Sequence, residues 1–204
     1  MQVAGADAVL AYWFGDAATD PVAAEARRSL WFGGSADVDA TIATRFGATL
    51  EAAVRGELES WQGSPRGTLA YILVCDQFPR NVWRGTPRAF ALDAQALAAA
   101  RHLMASGQFV SLTPGEKAFA LLPFEHSESL DDQRTCVAHF ETLVREVPDA
   151  WRAQYEGYLD YARQHLALIE RFGRFPHRNR VLGRESSAAE LAFLEAGGAT
   201  FGQA

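Results

Sequence analysis

The sequence predicts an all-α protein of about eight or nine helices, packed as antiparallel hairpins. Three observations carry this. Strand signals are nearly absent, with no Asn-Gly hairpin pair and no sustained apolar–polar alternation. Serine or threonine followed by proline recurs at helix starts, as Ser64-Pro65, Thr86-Pro87 and Thr113-Pro114. One long stretch, Asp149 to Phe172, has its apolar and aromatic residues alternately four and three apart.

Taken in order, Asp7 is expected to cap a short helix ending at Phe14, with Gly15 as its stop. Phe32-Gly33 repeats that stop. Asp37 is expected to cap a long helix in which Val38, Ile42, Phe46, Leu50 and Val54 recur every four residues, with Gly56 near its end. Ser64-Pro65 opens a helix through Leu69, Ile72 and Leu73 to Phe78, where Pro79 should stop it. Thr86-Pro87 opens a run to about Ala105. Thr113-Pro114-Gly115-Glu116 is a capping box, and its helix meets Pro123. A further helix covers about Asp131 to Val147. Along the clearest helix, Trp151, Tyr155, Tyr158, Ala162, His165, Ile169 and Phe172 form one stripe. Ser187 to Glu190 is a second capping box. No linker or low-complexity segment divides residues 1–204, which read as a single domain.

The bulk numbers exclude several classes. Hydrophobic residues make up 49%, enough for a sizeable core, and the net charge is −6. A general nucleic-acid or anionic-membrane surface is therefore not expected. No run approaches the ~20 apolar residues of a membrane span. The start, MQVAGADAVLAYWFGD, lacks a basic region and a small-residue cleavage site. Cys75 and Cys136 lie among apolar residues and form no C-x-x-C pair, which suits a reducing compartment. The expectation is a cytoplasmic protein with no cofactor. The basic residues are one lysine and 18 arginines, a bias that a GC-rich genome accounts for.

Three polar stretches stand out. DQFPRN, Asp76 to Asn81, follows an apolar run and leads into Arg84 and Arg88. PFEHSES, Pro123 to Ser129, crowds Glu125, His126 and Glu128 into four positions. RFGRFPHRNRVLGR, Arg171 to Arg184, repeats the Phe-Pro and Arg-Asn elements and holds His177, Arg178 and Asn179. Eight of the 18 arginines fall in the two Phe-Pro corners, a positive focus on an acidic chain. Arginine grips carboxylate or phosphate with a planar fork. A histidine beside two carboxylates could serve as a general base, or supply metal ligands. The spacing is not H-E-x-x-H, and no metal is assigned. His165 is a fourth point, a polar residue on an apolar stripe. Each motif has a plainer role: an ion pair that pins a corner, a satisfied core histidine, or arginines tying down helix-end carbonyls.

The combination DQFPRN…RGTPRAF, LPFEHSE and RFGRFPHRN resembles the bacterial family called domain of unknown function 924, over nearly the whole chain. The resemblance implies a right-handed helical stack of the tetratricopeptide-like superfamily, without that repeat's consensus. It implies no activity. The family's motifs fall on Asp76, Arg80, Asn81, Arg88, His126, Glu128, His177, Arg178 and Asn179. One departure is Ser129, where the family pattern has an acidic residue.

Three functions stay open on the sequence. The first is binding of an anionic small molecule or acidic peptide by Asp76, Arg80, Asn81, Arg88, His165, His177, Arg178 and Asn179. The second is a hydrolase on an anionic substrate, with His126 as base beside Glu125 or Glu128, or with His126, Glu125 or Glu128, and His177 holding a metal. The third is a protein–protein scaffold whose motifs are architecture.

Overall fold

The computed structural model describes residues 2–202, and among these every regular element is helical. The chain opens with α1 (Ala6–Trp13), a 3₁₀ turn, and two short helices, α2 (Pro21–Ala26) and α3 (Arg28–Phe32). The long α4 (Ala36–Val54) follows, then α5 (Pro65–Ile72) and α6 (Phe78–Val82). The second half runs through α7 (Asp93–Ala105), α8 (Pro114–Glu125), α9 (Leu130–Glu146), α10 (Asp149–Phe172) and α11 (Ala188–Glu195). None of the described helices is long and apolar enough to cross a membrane.

The capping chemistry places most boundaries. Ser64 Oγ accepts from Gly67 N at 3.1 Å, with Pro65 as the first helical residue of α5. Thr113 and Glu116 form the capping box of α8, and Ser187 and Glu190 that of α11. The α10 stripe forms one helix with the expected bounds, closed by Gly173 at φ 70°. Only Val147 and Pro148 separate α9 from α10, so the two pack as an antiparallel hairpin.

Three starts differ from the sequence expectation. Asp7 lies inside the first turn of α1, whose N-cap is Gly5. Asp37 lies inside α4, one residue after its start, and Ser35 is the N-cap. Thr86-Pro87 opens only a 3₁₀ turn, Pro87–Phe90, before α7 begins at Asp93.

The fourth difference shapes the site. Pro79 does not end the helix that Ser64 starts. The backbone widens into a π-helical turn, Leu73–Gln77, and continues as α6 through Pro79. Proline lacks an N–H and crowds the carbonyl four residues back. A widened turn just before it absorbs both defects, and such turns cluster at functional positions. Here the widened turn carries Asp76 and Gln77, both buried.

One hydrophobic cluster extends from Val9 to Ala162. At its centre Phe119 of α8 meets Trp13 at 5.7 Å, Phe14 at 5.3 Å and Trp31 at 4.8 Å, all edge-on. Such pairs add about 0.5–1.5 kcal/mol each beyond burial. Trp31 Nε1 also donates to Trp13 O at 2.9 Å, which fixes α3 against α1. The backbones of the first 3₁₀ turn and of α8 nearly touch: a Cβ on Gly115 would lie 2.2 Å from Ala17 O, so only glycine fits. Tyr155 Oη of α10 donates to Pro114 O at 2.5 Å and ties α10 to the start of α8. These contacts aim the other end of α8, at Glu125 and His126, toward α6 and α10.

Candidate functional site

The two Phe-Pro corners meet. Arg80 of α6 grips Asp93 at the start of α7 with both terminal nitrogens, at 2.8 and 2.9 Å. Arg178, from the second corner, lies 3.7 Å from the same carboxylate. Both guanidiniums lie over the Phe90 ring, Arg80 at 5.6 Å and Arg178 at 4.9 Å. Asp93 is the joint, and no local motif in the sequence marks it.

The third motif closes on this joint from above. The end of α8 has carbonyls without helical partners. Gln133 of α9, fully buried, donates Nε2 to Glu125 O at 2.5 Å and Ser127 O at 2.7 Å. Arg178 Nη1 donates to the carbonyl between them, His126 O, at 3.0 Å. Glu125 and His126 are therefore held by their backbones, and their side chains are free to face inward.

His126 Nδ1 lies 2.7 Å from Asp76 Oδ1. Burial alone would raise the pKa of Asp76, but Arg80 and His126 outweigh it, helped by the Gln77 amide at 2.5 Å. The carboxylate is held ionised, well below the usual range. Burial, together with the Arg80 charge, lowers the pKa of His126 despite Asp76. The ring is thus neutral at pH 7, its Nδ1–H donated to Asp76. Its Nε2 takes no hydrogen bond from a described residue, and the ring lines a cavity of about 150 Å³.

Glu125 lines the same cavity and is 4% exposed. Burial and the nearby Asp76 charge push its pKa up to about 8, so it is mostly protonated at pH 7. His165 of α10 faces it, with Nδ1 3.5 Å from Glu125 Oε1. That nitrogen donates to Tyr161 O at 2.9 Å, and burial holds the ring neutral. Phe201 stacks on His165 at 3.6 Å, and Arg84 Nη1 donates to Gly202 O at 3.1 Å. The segment at Phe201 thus forms one wall of the cavity. Asp93 and Phe201 have no sequence signal that could have found them, because they act on Arg178 and His165 across long stretches of chain, and Gln133 is an unmarked helix residue whose amide reaches the preceding turn.

The sequence-derived residues separate into two groups. Arg80, Asn81, Glu125, His126 and His165 line the cavity, and Asp76 stands directly behind His126. The others do not line it. Arg88 lies half-exposed, paired with Glu51 at 2.7 Å and stacked on Trp83 at 3.7 Å. Glu128 accepts from Arg184 at 2.6 Å and from Phe175 N at 2.8 Å, and so fastens the second corner. Asn179 is fully buried and donates to Ser186 Oγ at 3.1 Å. His177 packs on Phe175, its pKa lowered by burial and Arg178 to about 3. A metal held by His126 and His177 thus lacks a common cavity. Among the described residues no three His, Cys, Asp or Glu side chains converge with metal-ligand geometry.

The model of a family described as bacterial protein of unknown function (DUF924) matches residues 9–198. The chain belongs to this family. A solved structure of a protein of unknown function from Agrobacterium tumefaciens is similar to it, with a TM-score of 0.78 and 31% identity. The match covers 94% of this chain and 97% of that one. No curated protein matches. The family description names no reaction.

Proposed function

We propose that the cavity carries out acid–base chemistry on a small polar molecule, with hydrolysis of a small ester or amide as the reaction. The observation that carries this is the Asp76–His126 pair at 2.7 Å, with Nε2 left to the cavity that Glu125 shares. A base and a neutral acid with their pKa values pushed apart divide the two proton transfers between them. No serine or cysteine lines the cavity among the described residues, so water is the nucleophile. His126 Nε2 takes a proton from water as the oxygen bonds to the acyl carbon. Glu125 gives its proton to the departing alkoxide or amine as the acyl bond breaks. The proton on His126 then returns to Glu125 through solvent. Arg80 lines the same wall, but Asp93 and Asp76 engage its terminal nitrogens, so it adds only a background positive potential for the developing oxyanion. At about 150 Å³ the site is smaller than the ~300–1,000 Å³ of drug-sized pockets and suits a compact substrate rather than a peptide.

The test is turnover of a panel of small aryl esters and amides. The rate should rise as His126 deprotonates, below pH 6.5, and fall near pH 8 as Glu125 ionises. His126→Gln should lower it by roughly 10²–10⁴. A rate that His126→Gln leaves unchanged would refute the proposal.

A second reading, binding of a small anion without chemistry, is favoured by Arg80 and Arg84 on the cavity wall. Both already pair with carboxylates, Arg80 with Asp93 and Arg84 with Asp39, which leaves less charge for a ligand. Salt separates the two readings. Anion binding should weaken steeply with ionic strength, whereas hydrolysis of an uncharged ester should not.

A further inference from the structure

A second cavity, of about 90 Å³, adjoins the first. Glu125, Phe32, Leu122 and Tyr161 line both. Beyond that shared wall the second cavity is mainly apolar, formed by Ala118 and Phe119 of α8, Phe140 of α9, and the Tyr158 ring and the helix backbone at Gly157 of α10. Its charged rim group, Arg28, is half-exposed and lies 3.7 Å from Glu25 without a hydrogen bond. Polar groups thus converge on one side of Glu125, and carbon surface lies on the other.

Gly157 is the informative residue. It sits inside the 24-residue α10, where glycine weakens an exposed helix position relative to alanine. A Cβ built there meets nothing within 4 Å, so no neighbour demands the glycine. The space it leaves open is the mouth of the apolar cavity.

We infer that the ligand is amphipathic, with a compact polar head at Glu125 and His126 and a short, uncharged alkyl or aryl tail in the apolar cavity beside Gly157. This rests on the acid–base reading of the first cavity and names the substrate class for it: an ester or amide of a short-chain or arylalkyl acid or alcohol. Away from the Arg28 rim, a charged tail would lose its hydration against Phe119, Leu122 and Phe140 without a partner.

Straight-chain alcohols from ethanol to 1-hexanol are suitable probes, because a hydroxyl both donates and accepts and none is hydrolysed. Their binding is followed at pH 7 through the ring signals of His126. Affinity should rise about fourfold per methylene until the tail fills the cavity. Gly157→Leu should remove that gain and leave ethanol unchanged. Gly157→Ala, which keeps the mouth open, should retain the gain and raise Tm, which checks that the position tolerates substitution. A flat chain-length dependence, with the His126 signals still shifting, would overturn the tail site and leave the polar site standing. If no member of the series moves the His126 signals, the polar-site reading fails and the tail site with it. A gain that survives in a folded Gly157→Leu would place the tail elsewhere.

Discussion

Arg178→Ala should melt well below the parent, because Arg178 is architecture. The side chain is 6% exposed. It donates one charge-assisted hydrogen bond, to His126 O at 3.0 Å, and stacks on Phe175 at 4.4 Å and Phe90 at 4.9 Å. Hydrogen bonds to charged groups contribute about 1.5–3 kcal/mol, and each partly buried cation–π contact about 0.5–1 kcal/mol or more. Against this stands desolvation. Burial, with the Arg80 charge, lowers the Arg178 pKa to about 10, so the native state does not favour the cation fully. Asp93 keeps Arg80 and is not orphaned by the change. The lowered pKa alone offsets about 3 kcal/mol of these contacts, but Arg178→Ala also leaves His126 O without its partner and a void between Phe90 and Phe175, which together cost several kcal/mol. The net loss is about 3 kcal/mol, or roughly 6–12 °C in Tm for a chain of this length. Thermal unfolding by circular dichroism at pH 7.5, in low salt without ligand, reads it directly. Arg178→Met, which keeps the apolar stem, should recover part of the loss. A Tm for Arg178→Ala within 2 °C of the parent would refute the reasoning and return the residue to the ligand.

Two further outcomes follow from the same accounting. Glu125 is raised in the folded state to about 8 from 4.5, so its contribution is present below pH 4.5 and lost as pH rises through 8. Glu125→Gln should therefore leave stability near pH 5 almost unchanged and gain about 2–4 kcal/mol over the parent at pH 8.5, read by urea unfolding at both pH values. Arg88→Ala should cost less than about 1 kcal/mol and leave ligand affinity unaltered, because its side chain is half-exposed and remote from the cavity. A loss of affinity on chemical-shift titration would place Arg88 in the site after all.

Much of the fold was legible because its signals are local. The α10 stripe, the Thr113 and Ser187 boxes and the Ser64-Pro65 start are fixed by residues a few positions apart. The stop expected at Pro79 does not occur, because breaking the helix has an alternative in a π-turn that no short pattern announces. The site was legible in outline only. Glu125 and Glu128 stand three apart with the same chemistry, yet one faces the cavity and the other fastens Arg184. Arg80, Arg84 and Arg88 are spaced by four, yet the turn at Gly85–Pro87 sends Arg88 away to Glu51. Asp93 acts on Arg178 across 85 positions, where only tertiary packing decides the partner.

One proton decides the chemistry of the cavity, that on Nδ1 of His126. A long-range ¹H–¹⁵N spectrum of the histidine rings, recorded across pH 5–8 on the parent and on Asp76→Asn, observes it directly. In the parent, His126 should be neutral at pH 7 with its proton on Nδ1, and should titrate below 6.5. Asp76→Asn should disturb that tautomer. A ring charged at pH 7, or protonated on Nε2, would leave no base facing the cavity and would contradict the account.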